Sequence, residues 1–413
     1  MRKAKFVSVF VLLALLLSAV PDVVMGQEPQ PLGVDVKVID ETSVNTLIAY
    51  GSDESVDQDS VKRILQRLEH LERGWEEDKI KEVINAYFEL RYKARKLLEP
   101  ADFSPLVVAT DVSTTADWLQ REQDRQEIEH FIAETFQTSY LEYKVFLDYP
   151  SIEVNGSEAV VKLLEGNEVY YTTHPTLPSR MANLEHTITL KNVDGRWRIS
   201  NDQYRGDTIE LLEALDKEEI LKNVQNNYDA QFIEPTIEGQ TAQPESTHWY
   251  NGTAAANYAD TWAYGINPIY HDESVYGDCT NFASQAIYES TNHTMSTPPG
   301  YMDKWYYDFP THSGSYPWVN VDGLYTFLTT NSGRGPYGYS SGAYTCNLHK
   351  GDVVTMKQGG VWQHTVVVSR IVGSCHVPSN IRVDAHDEDH YQRPLSEYSG
   401  YAWYAITISG YRD

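Results

Sequence analysis

Hydrophobic periodicity changes character twice along this chain, and the order of those changes most restricts what it can fold into. Apolar residues first recur at helical spacing: Ile64, Leu65, Leu68 and Leu71, then Val83, Ile84, Tyr87, Phe88, Leu90, Tyr92 and Leu97. Residues 123–140 continue the pattern, with Ile128, Phe131, Ile132 and Phe136 on one face. Strand composition follows at 143–147, 158–163, 184–190 and 196–199, punctuated by turn signals at Asn155-Gly156 and Asp194-Gly195. A helical pattern returns at Phe282, Ala283, Ala286 and Ile287, and strands return at 352–356, 361–369 and 381–386. Helices first and antiparallel strands after, in each half, specify an α+β fold.

The segment 234–246, with Pro235, Gly239 and Pro244, reads as a linker and a domain boundary. We expect a signal peptide over 1–26 and an N-terminal extension over 27–60 with a strand-like run at 34–39. An α+β accessory domain over 61–207 would follow, then a helix (208–228) and linker within 208–247, then a C-terminal domain over 248–413. Arg2, Lys3 and Lys5 precede an apolar run at 6–20, and Pro21 and Asp22 end it short of the ~20 residues that a membrane span needs. The leader contains no Cys to accept a lipid, so the expected product is secreted, with no membrane anchor after cleavage.

The formal net charge is -26, and removing a leader of net +2 takes it to about -28. Such a chain lacks the cationic surface that supplies most nucleic-acid affinity. It is equally unsuited to electrostatic adsorption on anionic membranes or wall polymers, and its acidic surface favours solubility. The three cysteines leave at least one unpaired. Pairing 352–356 with 361–369 through Gly359-Gly360 brings Cys346 near residue 373, which allows a Cys346–Cys375 disulfide. Two separate buried thiols are the alternative, and both arrangements leave Cys279 free.

The chemistry centres on Asp278-Cys279-Thr280-Asn281-Phe282-Ala283-Ser284-Gln285, where a helix begins within a residue or two of the thiol. Backbone N–H groups and the dipole at a helix start lower a thiol's pKa; a small buried hydrophobe is the bland alternative. His364 opens the β-branched run Thr365-Val366-Val367-Val368, and 381–386 forms the next strand. A hairpin centred near Cys375 sets His364 opposite His386, in a register that loop irregularity can shift by a residue or two. A thiol on a helix, an imidazole on a strand and a polar group on the neighbouring strand are the parts of nucleophile, base and orienter.

Further blocks accompany these: Tyr250-Asn251, Ala254-Ala255-Ala256-Asn257-Tyr258-Ala259, Gly351-Asp352-Val353-Val354, and Ala385-His386 followed by Arg393-Pro394-Leu395. In this order over roughly 248–413 they resemble the amidase domain family of exported bacterial proteins, relatives of the papain-like cell-wall hydrolases of the NlpC and CHAP groups. The resemblance implies a papain-like C-terminal domain of helix plus antiparallel sheet, with Cys279 as nucleophile, His364 as general base and His386 as third member. The acidic run Asp387-Glu388-Asp389-His390 departs from the family pattern, so Asp384 or Asp387 could take the place of His386. For the oxyanion, the Cys279 backbone N–H is the first expected donor, with Tyr258 and Asn281 as candidates for the second. Asn281 and Gln285 could instead pack the helix start, and Asp278 fits an N-cap. The preceding α+β segment resembles cone-shaped nuclear-transport-factor-like or SnoaL-like domains in architecture, and reads as an inert or docking module.

The aromatic residues that crowd the segment from Tyr301 to Tyr344 either line a substrate groove or cover a thin sheet. His386, Asp387, Asp389 and His390 offer metal ligands, with a solvated loop as the alternative. The rival to an enzyme is therefore a non-catalytic exported binding module with a metal at His386–His390. The favoured expectation is a cysteine hydrolase needing no cofactor, acting on amide bonds in peptidoglycan or in peptides.

Overall fold

Three consecutive valines, Val366 to Val368, require cover on both faces of any strand that holds them. The computed structural model describes residues 47–50, 76–109, 113–236, 247–274 and 277–413. The expected leader, the run at 34–39, the stripe from Ile64 to Leu71 and most of the linker lie outside the described residues.

Strand β1 (Leu47–Tyr50) is followed by helices α1 (Glu76–Leu97) and α2 (Ser113–Phe136). A meander comes next: β2 (Tyr140–Asn155), β3 (Glu158–Tyr171), β4 (His174–Val193) and β5 (Arg196–Tyr204). Asp194 and Gly195 both have positive φ, the conformation that a tight hairpin turn requires of Asp-Gly. Helices α3 (Asp207–Ala214) and α4 (Lys217–Asp229) lead to β6 (Thr247–His248), α5 (Gly252–Trp262) and α6 (Cys279–Ser290). The small ladder of β7 (Tyr307–Asp308) and β8 (Ser313–Gly314) precedes α7 (Tyr316–Val319), α8 (Val321–Thr330) and β9 (Gly335–Ser340). The chain closes with β10 (Val353–Gln358), β11 (Val361–Ile371), β12 (Ile381–Ala385), β13 (Asp389–Pro394) and β14 (Ala402–Arg412). Every ladder between these strands is antiparallel, and the class is α+β.

One 12-stranded sheet runs in the order β1-β2-β3-β4-β13-β12-β11-β10-β14-β6, with β5 on β4 and β9 on β14. The meander and the C-terminal ladder meet where β13 pairs with β4, His390 opposite Met181. Alternation along β10 and β11 then sends side chains to two separate cores. Val353 and Val367 pack against Phe282, Ala286 and Ile287 of α6 and Leu324 of α8. Val354, Met356, Val366 and Val368 pack against Ile128, Ile132 and Phe136 of α2 and against Leu211, Ile220 and Val224 of α3 and α4. The triple valine is thus covered on one face by helices of the C-terminal half and on the other by helices that precede the linker.

The single helix expected over 208–228 is two. Leu215 is extended, and the Asp216 side chain accepts the Glu219 N–H as an N-cap that starts α4 afresh. Asn227 on α4 donates to the Ser399 and Tyr401 carbonyl oxygens, which straps that helix to the turn before β14. The Gly351 block is explained by a close approach: a Cβ at Gly252 would stand 1.9 Å from the Lys350 carbonyl oxygen. Cys346 and Cys375 form a disulfide with a Cα–Cα distance of 4.6 Å. Among the described residues, no helix is long and apolar enough to cross a membrane.

Ile220 is fully buried against the C-terminal sheet. Ile220→Ala should therefore cost about 2–5 kcal/mol in urea unfolding, whereas Val361→Ala at a largely exposed site should cost under about 0.5 kcal/mol. Equal small effects would mean that α4 does not belong to this core.

Candidate active site

Cys279 is the first residue of α6, and β11 runs beside that helix. The Thr280 and Thr365 hydroxyls meet at 3.2 Å, fixing the helix start against the strand one residue after His364. The Cys279 sulfur, a His364 ring nitrogen and an Asp387 carboxylate oxygen all lie within 4.8 Å of one another. This trio sits in a cleft of about 570 Å³, walled also by Trp362, Tyr398 and Tyr401. The His364 ring stacks on Tyr398 at 5.5 Å between centroids.

The register of β11 and β12 explains why Asp387 and not His386 stands by His364. Val367 pairs with Asp384 and Val368 with Val383, so the same register extended beyond the ladder brings Asp387 level with His364. The ladder is irregular between Val368 and Arg370. A one-residue offset sends a side chain to the opposite face of a sheet. His386 accordingly turns toward the helices, where it stacks on Phe282 at 4.0 Å. Its Nδ1 lies 2.6 Å from Asp278 Oδ2 and its Nε2 2.7 Å from the Trp262 carbonyl oxygen. With both nitrogens engaged there, His386 is not the orienter of His364; it braces the start of α6 against the end of α5. Asp384 is also elsewhere, buried and accepting from the Gln392 N–H and the Ser369 hydroxyl.

The other expected roles resolve similarly. Asp278 occupies the N-cap position, but its side chain makes no capping bond; it accepts from His386 and from Asn281 Nδ2. Asn281 also accepts from Trp318 Nε1, and the Tyr258 hydroxyl donates to Gln285 while accepting from Asn267. Asn281 and Tyr258 are thus committed to packing and do not line the cleft. Trp305, Tyr307 and Trp318 from the aromatic segment are buried in the core. The aromatic walls come instead from Tyr264, Trp362, Tyr398 and Tyr401. Trp362 lies two residues before His364 on the same strand, but the ladder shifts register between Met356 and Lys357, so simple alternation could not have predicted that both reach the cleft.

Electrostatics at the sulfur reverse the sequence expectation. Burial, reinforced by the Asp387 carboxylate, pushes the Cys279 thiol well above its ordinary range. The Thr280 hydroxyl and the Thr365 backbone N–H pull the other way and do not win. Burial also lowers the His364 pKa, against the opposing pull of Asp207 and Asp387. The helix start is outweighed because Cys279, 4% exposed, gives up most of its hydration. The resting pair is consequently thiol and neutral imidazole.

Asp387 holds a left-handed backbone (φ 92°), and one carboxylate oxygen accepts the Asp278 N–H at 2.6 Å. A non-glycine residue in that region costs ~1–3 kcal/mol and persists where surrounding structure enforces it.

The four ligands of the rival metal reading do not converge. His390 instead meets Glu388 and Asp207, with ligand atoms within 4.8 Å of one another. Arg393 Nη1 lies 2.8 Å from His390 Nε2 and donates to Asp207, so a cation of the chain's own occupies that cluster.

Residues 249–409 match the family model described as "Putative amidase domain". No curated protein and no solved structure matches the chain.

Alkylation of Cys279 by iodoacetamide should keep accelerating as pH rises past 9, because the thiol titrates above that range. A plateau below about pH 8 would show a thiolate already formed at rest.

Proposed function

We propose that this protein is a secreted cysteine hydrolase of amide bonds. The observation that carries the reading is the convergence of the Cys279 sulfur, a His364 nitrogen and the Asp387 carboxylate within 4.8 Å, on a cleft inside the segment that matches an amidase domain. An amidase domain implies an amide-containing substrate. In this reading Cys279 is the nucleophile, His364 the general base and Asp387 the third member.

The chemistry is acyl transfer. His364 takes the thiol proton as the sulfur bonds to the amide carbonyl carbon. The C–N bond then breaks, and the imidazolium returns that proton to the leaving amine. Water adds to the thioester, releasing the acid and restoring the thiol. Asp387 opposes a lone thiolate, but it favours the imidazolium that forms once the proton has moved. Such a site suits proton transfer concerted with attack better than a standing ion pair. Backbone N–H groups at the start of α6, with that of Cys279 first, would meet the oxyanion.

Export is supported by the cationic start and apolar run of the leader. The Cys346–Cys375 disulfide is consistent with an oxidising compartment. Cell-wall peptide is the leading substrate class on the resemblance to wall hydrolases, with secreted peptides second.

Purified peptidoglycan and simple peptide amides should release new carboxyl and amino groups with the wild type. Cys279→Ala should lower the rate at least about 1,000-fold. Asp387→Asn should lower kcat at least about tenfold while making Cys279 easier to alkylate near neutral pH. Undiminished hydrolysis by the alanine variant would remove Cys279 from the mechanism.

A further inference from the structure

We propose that the cleft selects amides bearing a positive charge, an ammonium or guanidinium group, close to the scissile bond. The inference deepens the proposed function and rests on the Cys279 cleft being the substrate site.

Six carboxyl groups line this cleft besides Asp278: Asp207, Glu210, Asp322, Asp387, Glu388 and Asp389. Among its described lining residues, Arg205 is the one Lys or Arg side chain. That guanidinium is largely exposed and already sits 2.8 Å from Glu210. Asp322 accepts from the Tyr316 hydroxyl and has no ion pair among the described residues. Burial, then the neighbouring carboxylates, pushes Glu388 and Asp389 above the usual range, and Glu210 is raised likewise despite Arg205. Arg393 pairs with Asp207 and stands 3.9 Å from Glu388, and Arg205 pairs with Glu210, which leaves Asp322, Asp387 and Asp389 with no ion pair among the described residues and with a negative potential that an arriving cation relieves.

A second observation comes from the cleft's rim. Trp362 lines the cleft and carries the chain's own Lys357 ammonium 4.2 Å from its ring centroid, with the Tyr404 ring 5.1 Å from the same nitrogen. An aromatic surface at this edge therefore already holds an alkylammonium. Asp387 holds the thiol proton on, and a substrate cation beside Asp387 would offset that field and ease proton transfer to His364. Charge selection and activation would then be one event. Two of the acids, Asp207 and Glu210, belong to α3, so a helix from before the linker would read the substrate.

Two methanethiosulfonate reagents of opposite charge test the potential directly at Cys279. The trimethylammonium-ethyl and sulfonato-ethyl forms are each compared with their own rate on 2-mercaptoethanol. The normalised cation-to-anion ratio should be at least about tenfold, and should shrink in about 1 M salt and in Asp322→Asn or Glu210→Gln. A ratio near one, or favouring the anion, would overturn the inference. A parallel comparison uses peptide amides of one length bearing a lysyl or a norleucyl side chain next to the cut bond. The lysyl form should show kcat/KM higher by about tenfold or more. Equal Cys279-dependent cleavage of both overturns charge selection alone, whereas no Cys279-dependent cleavage of either overturns the hydrolase reading beneath it.

Discussion

Strand β11 is apolar on both faces, and the two sets of side chains that cover it come from opposite ends of the chain. Helices α5, α6 and α8 cover Val367; helices α2, α3 and α4 cover Val366 and Val368. Each buried valine contributes roughly 1.5–3 kcal/mol only when its face is covered. A domain drawn at the linker alone would leave the second face bare. The α+β segment before the linker is therefore structurally joined to the amidase-like segment, through shared core, through the β4–β13 pairing, and through the buried Arg95–Glu397 pair at 2.9 Å.

That union also shapes the chemistry. His364 stands on the face of β11 that turns toward Tyr398 and Tyr401, and Cys279 comes from the helix on the other face. They meet beyond the last paired residue of the β11–β12 ladder, where Asp387 closes the triangle. Burial raises the pKa of the thiol and lowers that of the imidazole, and the Asp387 carboxylate raises the first further while pulling the second back up. His386 gives the helix start its rigidity: its bonds to Asp278 and to the Trp262 carbonyl oxygen tie α6, α5 and β12 together under the sulfur.

Much of this was legible in residue order. The α+β class followed from helical periodicity giving way to strands in each half, and the Asp-Gly turn signal sits where positive φ was needed. The pairing of Cys279 with His364 was what the resemblance of the surrounding motif blocks implied; a helix start and a β-branched strand alone did not establish it. What failed did so for local reasons. Register is decided by single residues, so the hairpin read from its loop placed His386 where Asp387 stands. The helix over 208–228 was divided by an N-cap at Asp216 that apolar spacing alone does not reveal. The thiol's pKa depended on burial, which no helix-start argument contains. The acidic wall of the cleft gathers residues from α3, α8 and the β12–β13 turn, far apart in sequence and adjacent only in the fold.

The proposed mechanism passes through a covalent intermediate at one sulfur. Turnover with an amide substrate, quenched in acid and followed by peptide mass spectrometry, should show the acyl group on the peptide containing Cys279. Hydroxylamine added during turnover should divert that group to a hydroxamate, as expected of a thioester. Hydrolysis that proceeds with no acyl mass on Cys279 and no hydroxamate would contradict the account.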